Sequence, residues 1–205
     1  MSNRLITISR EYGSGGHEVG VLLAERLGIP IYDKELLTLA VKDDNLTPDF
    51  MEKFDEKKAP TSFSLLFGNM SSMGYQPTAN DLTFFKTAET MKQLAEMGDA
   101  IIVGRCADYV LRDLNPLNIF IYSDLDFKVK RRLELFKEHE GHEVSADDMK
   151  KKILFVDKQR AKYYEYYTDR RWGDIHNYDI CINTAKVSIA EAVEIIVNFI
   201  EKNKS

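Results

Sequence analysis

Directly behind the short β-branched run Leu5-Ile6-Thr7-Ile8 lies Ser9-Arg10-Glu11-Tyr12-Gly13-Ser14-Gly15-Gly16-His17-Glu18-Val19-Gly20, where four of the chain's eleven glycines fall within eight positions. Val19, Leu22, Leu23 and Leu27 then recur at helical spacing. Strand, glycine loop and helix in that order demand a backbone that leaves a sheet sharply and starts a helix at once. Glycines let such a turn converge its N–H groups, and the helix N-terminus behind it adds positive partial charge, so a polyphosphate is its natural ligand. A tight β-to-α turn with no ligand is the plainer alternative.

The loop does not satisfy the strict pattern G-x-x-x-x-G-K-[ST]. If Gly16 is the last motif glycine, His17 and Glu18 take the Lys and Ser/Thr places; if Gly15 is, Gly16 and His17 do. Neither register supplies the lysine or the hydroxyl. A helix N-terminus is worth only about 0.3–2 kcal/mol to an anion, so a bound triphosphate needs side-chain cations from elsewhere. Arg10, Arg105, Arg131, Arg132 and Arg160 are the candidates.

The rest of the chain alternates apolar strands and helices. Ile29-Pro30-Ile31-Tyr32 reads as a second strand after Gly28, with Asp33 able to cap the next helix. Residues 43–80 change character, being acidic and lysine-rich and then full of Ser, Thr, Gly and Pro, which suggests an insertion or flap. A helix from about Asp81 to Met97 leads into the strand Ala100–Val103, and Asn118–Tyr122 reads as a fourth strand. A basic helix with Lys128, Lys130, Arg131 and Arg132 follows, then a polar break from His139 to Ser145 and a long helix to about Arg170. Tyr178–Ile182 forms a fifth strand before a final helix from Ser188. The expectation is a single α/β domain over 1–205: a five-stranded parallel sheet with helices on both faces, a helical lid at 128–150 and an acceptor-site insertion at 43–80. Ligands of such sheets bind beyond the carboxyl ends of the strands.

Length and composition narrow the function classes. The 205 residues suit one core plus a lid, and 28 basic against 33 acidic residues leave a net charge of −5, so a basic surface for nucleic acid is not expected and any cationic site is local. Two cysteines, Cys106 and Cys181, are too few for a disulfide scaffold and fit a reducing cytoplasm. No signal-peptide core or membrane-length apolar run is present, so no membrane partner is expected.

Several residues stand out at predicted strand ends and on the later helices. Gly104-Arg105 could place a guanidinium against a phosphate, the glycine allowing close approach. Arg131 and Arg132 could close over a transferring phosphoryl group, although adjacent helix residues do not share a face, so one is expected to point to solvent. Asp157 and Arg160, three apart on one helix face, suit an arginine oriented by a carboxylate, or a plain ion pair. Tyr163, Tyr164, Tyr166 and Tyr167 read as core packing or a subunit contact. His139-Glu140-Gly141-His142 reads as a lid turn rather than a metal motif. Cys106 reads as a small buried residue and Trp172 has no assigned role.

These blocks in this order resemble the cytidylate kinase-like group of P-loop nucleoside monophosphate kinases over nearly the whole chain. The resemblance rests on Ile6 to Gly16, Leu27-Gly28-Ile29-Pro30-Ile31-Tyr32-Asp33, Val103-Gly104-Arg105-Cys106-Ala107-Asp108, the Arg131-Arg132 helix, and Asp157 with Arg160. It implies ATP-dependent phosphoryl transfer to a nucleoside monophosphate, CMP or dCMP first, with Mg2+ bridging the donor phosphates and a small-molecule nucleotide as partner. Arg10, Gly13, Ser14, Gly15, Gly16, His17 and Glu18 would hold the nucleotide, and Asp33 and Arg105 the acceptor. Arg131, Arg132, Asp157 and Arg160 would be catalytic; metal ligands and oligomeric state are not assigned. The alternatives are a P-loop kinase for another small acceptor, since 43–80 would shape that pocket, and a non-catalytic nucleotide-binding regulatory protein.

Overall fold

The computed structural model describes residues 4–37, 78–139 and 144–203. Five strands, β1 (Leu5–Arg10), β2 (Ile31–Tyr32), β3 (Ala100–Val103), β4 (Leu117–Tyr122) and β5 (Ile180–Asn183), form one sheet. Their spatial order is β2-β3-β1-β4-β5 and every pairing is parallel. The α/β expectation holds. β1 is central, with Ile8 beside Val103 on one flank and Ile119 on the other. The chain crosses from one side of β1 to the other between β3 and β4, so the carboxyl end of β1 lies at a topological switch point.

Alternation along the strands divides the core in two. Ile6, Ile8, Ile101, Val103, Ile119, Ile121 and Ile182 face α1 (Gly16–Leu27) and the last helix, α6 (Ile189–Lys202), which supply Val19, Leu23, Val193 and Ile196. Leu5, Ala100 and Ile102 face the other layer, α2 (Ala79–Met97) and the short α3 (Ala107–Val110), with Phe84, Met91, Leu94 and Val110. Completing the fold are α4 (Leu125–His139) and α5 (Ala146–Thr168), which lie against each other over the carboxyl edge of β1 and β4.

Boundaries follow local chemistry. Helix α2 starts at Ala79 rather than near Asp81 because Thr78 and Asp81 form a reciprocal capping box. Of the expected insertion at 43–80, only Thr78–Asn80 lie among the described residues, and they belong to this cap and helix. Helix α4 ends at His139 and α5 starts at Ala146; residues 140–143 of the polar break expected there, His142 among them, lie outside the described residues. Among the described residues no helix is long and apolar enough to cross a membrane.

Candidate functional site

The glycine loop is tied down from behind and open in front. Gly13 and Gly15 adopt φ of +87° and +82°, left-handed values that favour glycine. The Ser14 side chain turns inward: its hydroxyl donates to the carbonyls of Glu11 and Ile121 at 2.9 and 3.1 Å, and its own carbonyl accepts from Thr184 Oγ1 at 2.7 Å. A serine with two nearby carbonyls satisfies its hydroxyl there, and these bonds tie the loop to β4. Gly15 occupies the N-cap of α1 and has no capping side chain, leaving the first helical amides to the cavity in front.

That cavity, about 290 Å³, is lined by Gly13, Gly15, Gly16, His17 and Glu18 from the loop and by Arg131 and Arg132 from α4. Both arginines face the loop, which corrects the expectation that one points to solvent. Arg131 pairs with Glu18, while the Arg132 guanidinium lies 4.8 Å from the Tyr12 ring centre. The reason is that the inward face of α4 runs through Lys128 and Leu135, and neighbouring residues 131 and 132 flank that line on either side.

Lys128 is the residue that sequence reading passed over. Although lysines are seldom interior, it is 5% exposed. Its ammonium donates to Glu11 Oε2 at 2.9 Å and to Asp157 Oδ2 at 3.2 Å. Glu11 also accepts from the Ser123 amide at 3.1 Å, and Asp157 Oδ1 from the Tyr12 amide at 2.6 Å. One cation thus joins the loop, α4 and α5. Burial raises the Asp157 carboxyl above its usual range, and the Tyr12 amide and Lys128 only partly offset this. Arg160 lies 3.9 Å from Asp157, so the carboxylate orients the loop and Lys128 more closely than it does the arginine. The i, i+3, i+4, i+7 spacing of Lys128, Arg131, Arg132 and Leu135 was the available signal.

A second cavity of about 330 Å³ opens at the carboxyl end of β3. Gly104, Arg105 and Cys106 take φ of +82°, +56° and +58°; two consecutive non-glycine residues in the left-handed region carry a cost of roughly 1–3 kcal/mol each. The turn brings the Arg105 guanidinium to this cavity, where it donates to Tyr163 Oη at 3.3 Å. Tyr163, Tyr164 and Trp172 add aromatic walls, giving Trp172 a place, while Phe84 and Tyr167 stack at 3.9 Å beside them. The tyrosines therefore divide: Tyr164 is core, bonded to Asp108 at 2.6 Å, and Tyr163 and Tyr167 face space.

Among the described residues, Arg10 and Arg160 are the two that line both cavities. Arg160 donates to the Arg10 carbonyl at 2.9 Å and its guanidinium lies 5.7 Å from the Tyr12 ring centre. Burial and the neighbouring guanidiniums of Arg160 and Arg105, against the opposing pull of Asp33, bring Arg10 down to about 10, still cationic at neutral pH. Asp33 is outside the described lining of both cavities. It caps the next turn through the amides of Glu35 and Leu36 and meets His17 Nε2 at 3.0 Å. Burial works against its ionisation, yet these donors hold it below the usual carboxylate range.

Cys106 follows Arg105 in the wall of this cavity but is only 4% exposed, and burial with nearby Asp108 pushes its thiol up to about 12. A disulfide-exchange reagent at about pH 8 is expected to label one thiol, Cys181, in the native protein and both after denaturation. Rapid native labelling of Cys106 would contradict this packing.

The sequence matches a family model described as the cytidylate kinase-like family over residues 5–186. Among solved structures, an uncharacterized protein from Eubacterium ventriosum ATCC 27560 is 31% identical with a TM-score of 0.71, the match covering 97% of this chain and 98% of that one. Shikimate kinase from Bacteroides thetaiotaomicron is 14% identical with a TM-score of 0.55, covering 97% and 98%. Shikimate kinase from Acinetobacter baumannii, solved with shikimate, is 14% identical with a TM-score of 0.51, covering 99% and 96%. At such identity these two establish the P-loop kinase fold alone. No curated protein matches the sequence.

Proposed function

The chain belongs to the cytidylate kinase-like family, and from that premise we propose that it transfers the γ-phosphoryl group of ATP to a nucleoside monophosphate, with CMP or dCMP as first candidates. The observation that carries this reading is the meeting of two cavities at Arg10 and Arg160. One offers glycine-loop amides and the α4 arginines to donor phosphates. The other offers Arg105 to an acceptor. A phosphoryl group passing between them would lie against the two shared guanidiniums, where charge develops in transfer.

The charge of the second cavity supports an acceptor phosphate over an acceptor alcohol. Its described lining holds Arg10, Lys34, Arg105 and Arg160 and no Asp, Glu or His. A phosphate arrives as an anion and is neutralised by such a wall, whereas a hydroxyl needs a base to take its proton.

Magnesium, which would enter with ATP, supplies charge neutralisation on the donor phosphates. Among the described residues no three His, Cys, Asp or Glu side chains cluster for a metal, and Lys128 already holds Glu11 and Asp157. The described residues therefore do not form a metal cage.

ADP formation by the purified protein, measured against a panel of nucleoside monophosphates and small alcohols including shikimate, tests the proposal. Turnover dependent on CMP or dCMP is expected. ATP binding without any acceptor-dependent turnover would defeat it in favour of a regulatory nucleotide-binding role, and turnover with an alcohol alone would replace the acceptor class.

A further inference from the structure

We infer that the loop cation has changed places in this chain: Arg10 supplies the charge that the pattern G-x-x-x-x-G-K-[ST] draws from its lysine, and Gly16 leaves the room for it. The inference rests on the ATP reading above. With the pattern's last glycine set on Gly15, its first glycine falls on Arg10 and its lysine on Gly16. Those two residues touch. A Cβ built on Gly16 would overlap the Arg10 Cβ, come 3.0 Å from its Cγ and 3.1 Å from the Ile121 Cβ, so Arg10 is the nearest obstacle and Ile121 has to give only a few tenths of an ångström. In the alternative setting the corresponding residues are Glu11 and His17, which have separate partners in Lys128 and Asp33.

The space between the two positions holds one side chain, and here it grows from the end of β1 instead of the start of α1. From Gly16 the Arg10 side chain runs on to Gly104, where a built Cβ would overlap Nη1 and lie 3.2 Å from Cζ. Two glycines far apart in sequence thus clear one channel for one arginine. The channel ends where the cavities meet, and Arg10 is the one described loop residue that lines both.

An arginine there does what a lysine does for charge and adds two parallel donors suited to phosphate oxygens. In transfer, the bond from the γ-phosphorus to the ADP oxygen breaks and ADP keeps the electron pair, while a bond forms from that phosphorus to an acceptor phosphate oxygen. Arg10 gains and loses no proton in this step. Its part is to neutralise the oxygens on the moving group.

The test is a reciprocal exchange: Arg10→Gly, Gly16→Lys and the double variant, with Arg10→Gln as a charge-free variant that keeps most of the side chain in place. ATP affinity by titration calorimetry and ADP formation are read for each, with folding checked by circular dichroism. Arg10→Gln and Arg10→Gly are expected to bind ATP roughly ten- to hundred-fold more weakly, the scale of one lost charge-assisted phosphate contact. Gly16→Lys alone should lose folded protein or activity through overlap with Arg10, and the double variant should recover folding and bring ATP affinity back to within about ten-fold of the parent. Unchanged ATP affinity in Arg10→Gln, or a double variant no better than the worse single one, would overturn the inference. Because calorimetry needs no acceptor, a parent protein that binds ATP without turnover would count against the proposed reaction and leave this reading to its own result.

Discussion

Lys128→Met is expected to lower folding stability by about 3–5 kcal/mol, the usual result of leaving buried charges without their partner. The substitution keeps most of the side chain's bulk but leaves Glu11 and Asp157 facing each other without the ammonium that binds both. In a domain of this size the melting temperature should fall by roughly 6–20 °C. The deficit should also depend on pH. Asp157 already has its folded-state carboxyl raised by burial, so the stability it contributes is present at low pH and lost as pH rises through that raised value. Removing Lys128 raises it further, so the deficit should be largest near neutrality and shrink as pH falls through the raised value. Melting curves of both proteins across that range check this. An equal deficit at both ends would show that the loss of Lys128 is not coupled to the titration of Asp157.

Arg160→Ala should reduce kcat by roughly 10³-fold, comparable to the lower end of the effect of an arginine placed on a transferring phosphoryl group. Its guanidinium lines both cavities, and its contacts to the Arg10 carbonyl and Tyr12 fix its position before ligands arrive. Arg160→Lys keeps the charge and loses the planar fork, so it should fall between parent and alanine variant. Steady-state kinetics with the best acceptor from the panel measures the series. A loss below ten-fold for alanine, with folding intact, would remove Arg160 from the transfer step.

Much of the fold was legible because its signals are local. The β-branched runs at Leu5, Ala100 and Asn118 report strands on their own, and the glycines after Ile8 report a turn that only glycine adopts cheaply. Ser188, as the helix cap it resembles, closes a reciprocal box with Glu191. The site was legible in its cast and less so in its arrangement. Ser14 stands among the loop residues expected at the nucleotide, and only the fold brings Ile121 and Thr184, by β4 and the turn after β5, to take its hydroxyl and its carbonyl. Arg131 and Arg132 read as facing opposite ways until the inward face of α4 is seen to pass between them. Lys128 reads as one solvated cation among four until Glu11 and Asp157 meet it from elements distant in sequence.

The amino-acid order alone determined the alternation of strand and helix, the glycine turn at the end of β1 and the supply of arginines, because each depends on residues within a few positions of one another. Which cations converge was decided by tertiary structure. The order β2-β3-β1-β4-β5 places the end of β1 beside those of β3 and β4, and α5 then brings Arg160 to the carbonyl of Arg10 across 150 positions of chain. Burial and charge pairing at that junction are sums over several elements, and no single stretch of sequence carries them.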